Sequence, residues 1–310
     1  FHTSSPSLTG HVEDSTEVTL TIDDNAVAID NGEFSLQLAL QEGVNSIPVK
    51  AVDAAGNQSI VNLTYVLDTI EPQLAITSPT ASHSNSSAVL VQGTVNDANL
   101  EEVIVNGVTA VVSGTNFSAE ISLDEGSHTI TVVARDKAGN SVQTEKALVV
   151  DLTTPTLSQI SPIDGTWTKD SLITVTGDIS EPDVQVTVAG AVATVTAQTF
   201  SVQVSLPIEG ENSLPIVATD LAGNTTTIHL RLNRDTNAPV LNVADLPEYT
   251  NADTIVISGT VEDAAFQSLK VNGNDIPLVG SSFSTTLSLL EGNNDISIVA
   301  EDIAGNIADF

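Results

Sequence analysis

Apolar and polar residues alternate in short runs along the whole chain. In the run Thr129 to Arg135, for example, Ile130, Val132 and Ala134 fall on one side of an extended segment. A period of two marks a strand with one buried face, because successive side chains point to opposite faces of a sheet. Between residues 72 and 151 seven such runs can be marked: Leu74 to Thr77, Val89 to Val95, Val103 to Asn106, Thr109 to Val112, Phe117 to Leu123, Thr129 to Arg135 and Thr144 to Asp151. The third and fourth are joined by Asn106-Gly107, and Asn272-Gly273 stands at the corresponding place further on. That pair suits a tight two-residue hairpin, both of whose central residues need positive φ.

The pattern repeats. EGVNSIPVKAVDAAGN from Glu42, EGSHTITVVARDKAGN from Glu125, EGENSLPIVATDLAGN from Glu209 and EGNNDISIVAEDIAGN from Glu291 are copies at offsets of 83, 84 and 82 residues. In each, the Glu lies eleven residues before the Asp of a DxAGN phrase: Asp53, Asp136, Asp220 and Asp302. Three copies run a further fifteen residues to a second Asp with a Pro close behind, Asp68 in DTIEP, Asp151 in DLTTP and Asp235 in DTNAP. Upstream, Gly10, Gly93, Gly177 and Gly259, then Phe34, Phe117, Phe200 and Phe283, keep the same order. A unit of about 83 residues with seven short strands has the dimensions of an immunoglobulin-like sandwich. The expectation is an all-β chain, a tandem array of seven-strand Greek-key sandwiches over residues 1–68, 69–151, 152–235 and 236–310, with the Phe residues as core anchors. Only nine residues precede Gly10, whereas Gly93 follows Pro72 by twenty-one, and four residues follow Asn306. The first module is therefore expected to lack its first strand and the fourth its last, leaving open sheet edges.

Composition narrows the chemistry. Eight Lys and Arg against 40 Asp and Glu give a net charge of −32 and exclude a phosphate-binding surface, so no nucleic-acid partner is expected. The absence of cysteine excludes a disulfide framework, a thiolate nucleophile and a zinc finger. No nucleophile, base and orienting group occur together, so no enzyme is expected. No apolar run reaches the roughly eighteen residues of a membrane span. The composition fits an oxidising, calcium-containing exterior.

In a sandwich of this connectivity the loop after the second strand, the DxAGN turn and the incoming linker share one pole. For the second module this collects Asp68 and Glu71 from the linker, Asp97 and Glu101 from the loop, and Asp136 and Asn140 from the turn. The third module supplies Asp151, Asp178, Glu181, Asp220 and Asn224, and the fourth Asp235, Asn237, Glu262, Asp263, Asp302 and Asn306; the first has Asp14, Asp53 and Asn57. Carboxylates crowded together repel unless a cation compensates, and this chain has few of its own. A set made only of oxygen ligands points to Ca²⁺ rather than zinc or copper. The competing account makes DxAGN a metal-free turn, with Gly at positive φ and Asp closing its own hydrogen bonds. The Glu of the EG phrase, at the opposite pole, is expected to cap its own loop. Trp167 is placed in a polar lead-in to the second strand of the third module.

The run from EGxN through AxDxAGN to the Asp–Pro linker resembles the bacterial immunoglobulin-like repeats of giant surface adhesins and of secreted carbohydrate-active enzymes. DTNAP at 235–239 is similar to the interdomain calcium linker of cadherins. The resemblance implies a bacterial cell-surface or secreted stalk that holds a terminal domain away from the cell, with calcium stiffening the joints. Asp151-Leu-Thr-Thr-Pro155 lacks the second linker acid or amide and Asp68-Thr-Ile-Glu-Pro72 shifts it by one position, so the joints are expected to differ. Two other functions fit the sequence. One is a filament subunit assembled head to tail by strand complementation of the end modules. The other is a glycan-binding module, for which Trp167, Tyr65 and Tyr249 are the aromatic candidates besides Phe. Expected partners are neighbouring modules of the same or other copies, and a receptor or glycan reached through other domains.

Overall fold

A computed structural model describes residues 5–310; residues 1–4, at the start of the first module, lie outside the described residues. The chain divides into two compact units, Phe1–Leu152 and Thr153–Phe310. Among the described residues every regular element is a strand.

In the first unit, the second module shows the plan most completely. One sheet has four strands in the order Val111–Ser113, Asn116–Ser122, Ala88–Asn96 and Gln73–Ser78. The other has five, Val108–Thr109, Leu100–Val105, Gly126–Asp136, Ser141–Val150 and His83–Ser84. The alternation works as expected: Ala88–Asn96 runs exposed, buried, exposed throughout its nine residues. Val91, Val103, Val105, Ile130 and Val132 are fully buried between the sheets around Phe117. Phe117 pairs with Gly93 across the sheet. A Cβ on Gly93 would lie 2.4 Å from the Phe117 ring and 2.1 Å from the Ala75 carbonyl oxygen, so Gly and Phe form one packing unit.

Two features depart from the seven runs marked in the sequence. The run Thr109 to Val112 is split, with Val108–Thr109 in one sheet, Val111–Ser113 in the other and buried Ala110 at the crossing. The small Ala side chain fits where the chain passes from sheet to sheet. The second departure is His83–Ser84, which pairs in parallel with Val149 and Val150. Its counterpart in the third module is Trp167–Thr168, parallel to Asn233 and Arg234, so Trp167 belongs to a strand and not to a lead-in.

The first module pairs Ser7–His11 with Glu33–Gln37 in a two-stranded sheet, opposite a four-stranded sheet of Asn25–Val27, Val18–Ile22, Gly43–Asp53 and Gln58–Leu67. Among the described residues no strand pairs with the other edge of Ser7–His11. A cavity of 630 Å³ opens there, lined by Leu8, Gly10, Leu20, Phe34, Leu63 and Tyr65 among others.

In the second unit the third module repeats the five-plus-four arrangement around Phe200, Ile216 and Leu232. The fourth packs Val240–Val243, Thr254–Glu262 and Ser282–Ser288 against Asn274–Asp275, Phe266–Val271, Ile298–Asp302 and Ile307–Asp309. The final strand, expected to be missing, is begun. The turn after Asp302 reverses the chain, and Ile307 pairs with Glu301 at once.

Candidate metal centre

The DxAGN turn is organised by its Asp. Asp136 Oδ1 accepts from the backbone N–H of Gly139 (2.7 Å) and Asn140 (2.8 Å), and Oδ2 accepts from Asn140 Nδ2 (2.7 Å). Gly139 sits at φ +96°, the left-handed region that favours glycine. Asp136 is 0% exposed. Its burial favours the neutral acid, but the hydrogen bonds from the Asn140 side chain and the turn N–H groups outweigh that and hold its pKa below the usual carboxylate range. Asp53 with Asn57, Asp220 with Asn224 and Asp302 with Asn306 form the same turn. Asp53 is likewise held low, chiefly by the Asn57 side chain.

Around this turn in the first unit, Asp68, Asp97 and Asp136 each present a carboxylate oxygen within 4.8 Å of the others. Asp68 is buried at the end of the first module's last strand. The hydrogen bonds that hold the group come from amides: Asn99 Nδ2 donates to Asp68 Oδ2 (2.7 Å), Asn99 N–H to Asp97 Oδ1 (2.7 Å) and Asn140 Nδ2 to the Asp68 carbonyl (2.9 Å). In the second unit Asp235, Asp263 and Asp302 come together in the same way. There Ala265 N–H donates to Asp263 Oδ1 (2.6 Å), and Asn306 Nδ2 to the Asp235 carbonyl (2.8 Å). Hard oxygen donors from three separate segments make each group chemically able to hold a metal ion.

The unit boundary falls just after Asp151. Asp151 is half-buried, and its N–H donates to the Ser84 carbonyl at 2.9 Å. Glu181 is half-buried in the third module, where buried Asp220 accepts from Gly223 N–H at 2.7 Å.

Several expected ligands have other places. Asn140 and Asn306 turn their amide nitrogen, a donor, toward carboxylate and carbonyl oxygens, so they tie the linker to the turn; Asn224 directs its nitrogen to Asp220. Glu71, Glu101 and Glu262 are exposed and outside the clusters. Asp178 lies within the strand Leu172–Ile179, paired with Thr199. The acid equivalent to Asp97 and Asp263 is Glu181, each standing four residues after the repeat Gly. Asn237 is exposed, and its Nδ2 reaches Glu209 Oε1 at 3.3 Å.

In the first and third copies the Glu of the EG phrase reaches the outgoing linker rather than capping its own loop. Glu42 accepts from Thr69 Oγ1 (2.9 Å) and Glu209 from Thr236 N–H (2.6 Å), so each fixes the outgoing linker. Thr directly after the linker Asp, in DTIEP and DTNAP, was the readable signal. Asn99 left none, being outside the repeat phrases. Of the three large polar aromatics, Tyr65 lines the first module's cavity, Trp167 is half-buried in the third and Tyr249 is 86% exposed in the fourth.

The family described as "Glucodextranase, domain B" matches residues 3–69, 72–152, 155–235 and 240–309. The chain belongs to this family. Among curated relatives, bacillopeptidase F of Bacillus subtilis (strain 168) is 31% identical over 134 residues, 43% of this chain and 9% of that protein. A PII-type proteinase of Lactococcus lactis subsp. cremoris is 24% identical over 307 residues, 84% of this chain and 16% of that protein. This chain thus spans a small part of the length of these relatives. Among solved structures, the tetra-tandem repeat in the extending region of a large adhesion protein is 20% identical, covering 99% of this chain and 94% of that one with a TM-score of 0.37. A structure of a 1.5-MDa bacterial ice-binding adhesin is 21% identical, covering 75% and 92%, with a TM-score of 0.29. In this family member, no helix among the described residues is long and apolar enough to cross a membrane.

Proposed function

We propose that the chain is a length of extracellular stalk in a bacterial surface or secreted protein, four modules in succession whose joints bind calcium. The 11-residue strand Gly126–Asp136 gives the second module about 36 Å of reach at roughly 3.3 Å per residue. The observation that carries the reading is the meeting, in both units, of a linker Asp with the loop and turn acids of the following module. Asp68, Asp97 and Asp136 would hold one ion, and Asp235, Asp263 and Asp302 another. A divalent cation supplies the charge these groups lack and ties linker, loop and turn into one coordination sphere. The modules carry no reaction in this reading, and any chemistry of the whole protein belongs to other domains.

Isothermal titration with Ca²⁺ and with Mg²⁺, on chelated protein, tests this. Calcium at a hundredfold excess over its Kd stabilises the native state by about 2.7 kcal/mol. Asp97→Ala and Asp263→Ala each abolish one site, and Mg²⁺ binds less well because it demands stricter octahedral geometry. No heat and no thermal shift at millimolar calcium would refute it.

A second reading, as a filament subunit, is favoured by the edge of Ser7–His11 above the 630 Å³ cavity, with which no strand among the described residues pairs. In the second module the same place is filled by Gln73–Ser78, whose Leu74 and Ile76 pack on the core. Sedimentation velocity that finds only monomer at high concentration counts against it.

A further inference from the structure

Lys169 stands outside the repeat. It follows the short parallel strand Trp167–Thr168 of the third module, and its Nζ donates to the carbonyl oxygen of Gly305 at 2.7 Å, 136 residues further along. Gly305 belongs to the turn from Asp302 to Asn306 in the fourth module, and Asp302 is 0% exposed beside Asp235 and Asp263. The residue in the same position of the second module, after the parallel strand His83–Ser84, is the uncharged Asn85. One of only eight basic side chains in a chain of net charge −32 thus spans from one module to the acid-bearing turn of the next. The neutral amide of Asn306 spans the same joint, as those of Asn99 and Asn140 span the first, so the charged donor is what sets this joint apart.

We propose that Lys169 braces the joint between the third and fourth modules, holding the fourth module's turn by a charge-assisted hydrogen bond so that this joint keeps its order without a bound cation. An ammonium donor gives a shorter and stronger bond to a carbonyl than a neutral amide does. Its charge also offsets part of the field of the neighbouring carboxylates, which would otherwise push linker and turn apart. A fixed positive charge close to the cluster opposes a second one. If the calcium reading holds, the ion therefore binds at this joint about three- to tenfold more weakly than it does once the charge is removed. The brace does not rest on that reading; only the affinity difference does.

The chain has no cysteine, so spin labels can be placed at will on the full chain. Leu172→Cys with Val256→Cys, both exposed on strands, reports on the third and fourth modules; Val44→Cys with Leu90→Cys reports on the first and second. Distance distributions are measured by double electron–electron resonance in EDTA and again in calcium. In EDTA, Lys169→Met about doubles the width of the distribution between the third and fourth modules, Lys169→Arg restores much of the order, and the first pair does not respond. Lys169 is exposed, so the melting of the third module stays unchanged and unfolding does not cause the broadening. A Lys169→Met distribution as narrow as that of the unmodified chain in EDTA overturns the brace. If calcium narrows neither pair in any variant while Lys169→Met still broadens its own, the calcium reading falls and the brace stands.

Discussion

Asn140→Ala separates the structural work of the DxAGN turn from any contribution of a metal. The substitution removes the side-chain amide's bonds to the Asp68 carbonyl, to Asp136 Oδ2 and, at 3.5 Å, to the Ile70 carbonyl, the first two being the strong ones, and leaves the Asn140 backbone N–H in place. The bond to the Asp68 carbonyl, 2.9 Å long between neutral groups, contributes about 1 kcal/mol. The 2.7 Å bond to Asp136 Oδ2 goes to a charged, fully buried acceptor and contributes about 1.5–3 kcal/mol. The loss is therefore about 2–4 kcal/mol from the second module, a fall of about 10–20 °C in its transition for a domain of this size. Asn57→Ala in the first module is the comparison, because among the described residues the Asn57 side chain bonds to its own turn, through Asp53. Scanning calorimetry of the full chain in EDTA reads the transitions, and hydrogen-exchange mass spectrometry assigns the loss to strand Gly126–Asp136. A second module within about 0.5 kcal/mol of wild type, the scatter of an ordinary surface substitution, would refute the reasoning. Asp136 would then have enough hydrogen bonds without Asn140.

Two further outcomes follow from the geometry. Gly93→Ala puts a Cβ 2.1 Å from the Ala75 carbonyl oxygen, which the sheet holds in place, and should destabilise the second module by about 3 kcal/mol in urea unfolding; Gly10→Ala, whose nearest neighbours are all atoms of the Phe34 ring, costs less. Asp53 and Asp136 are held below their ordinary pKa in the folded chain, so their contribution is complete above the unfolded value of about 3.9 and is lost as the pH falls through the lower folded value. Stability measured by chemical denaturation should fall below about pH 4, and Asp136→Asn should flatten that limb; a slope unchanged by the substitution counts against the hydrogen-bond account.

The repeat was legible because its fixed points are physical units. Gly93 and Phe117 recur together since the ring needs the space over a residue without Cβ, and Asp136, Gly139 and Asn140 recur together since they close one turn. Local spacing therefore gave the modules' cores and the pole where the acids gather. What it could not give depends on long-range partners or on very short elements. The two-residue strand His83–Ser84 is too short to show any period, and the change of sheet at Ala110 leaves an apparently continuous run. The role of Asn140 turns on where the Asp68 carbonyl lies, 72 residues away, which decides whether its amide faces the linker as donor or acceptor. Glu42 and Thr69 are likewise distant in sequence, 27 residues apart. Asp178 and Glu181 are both acids near Gly177, and only the strand register separates the one inside the ladder from the one at the pole. Lys169 occurs once, so a search for recurrence passes over it.

The parallel pairing near the end of the second and third modules has a mechanical meaning. Val149 and Asp151 donate to Ser82 and Ser84, and Asn233 and Asp235 to Thr166 and Thr168, each at 2.9 Å. These pairs join an early segment of the module to the segment by which the chain leaves it. Tension along the polypeptide drags the two segments in opposite directions parallel to their own length, so both bonds are sheared together, whereas the antiparallel edge of a hairpin would peel open one bond at a time. Under such a load a module yields at the rate at which that patch ruptures, a quantity separate from its melting temperature.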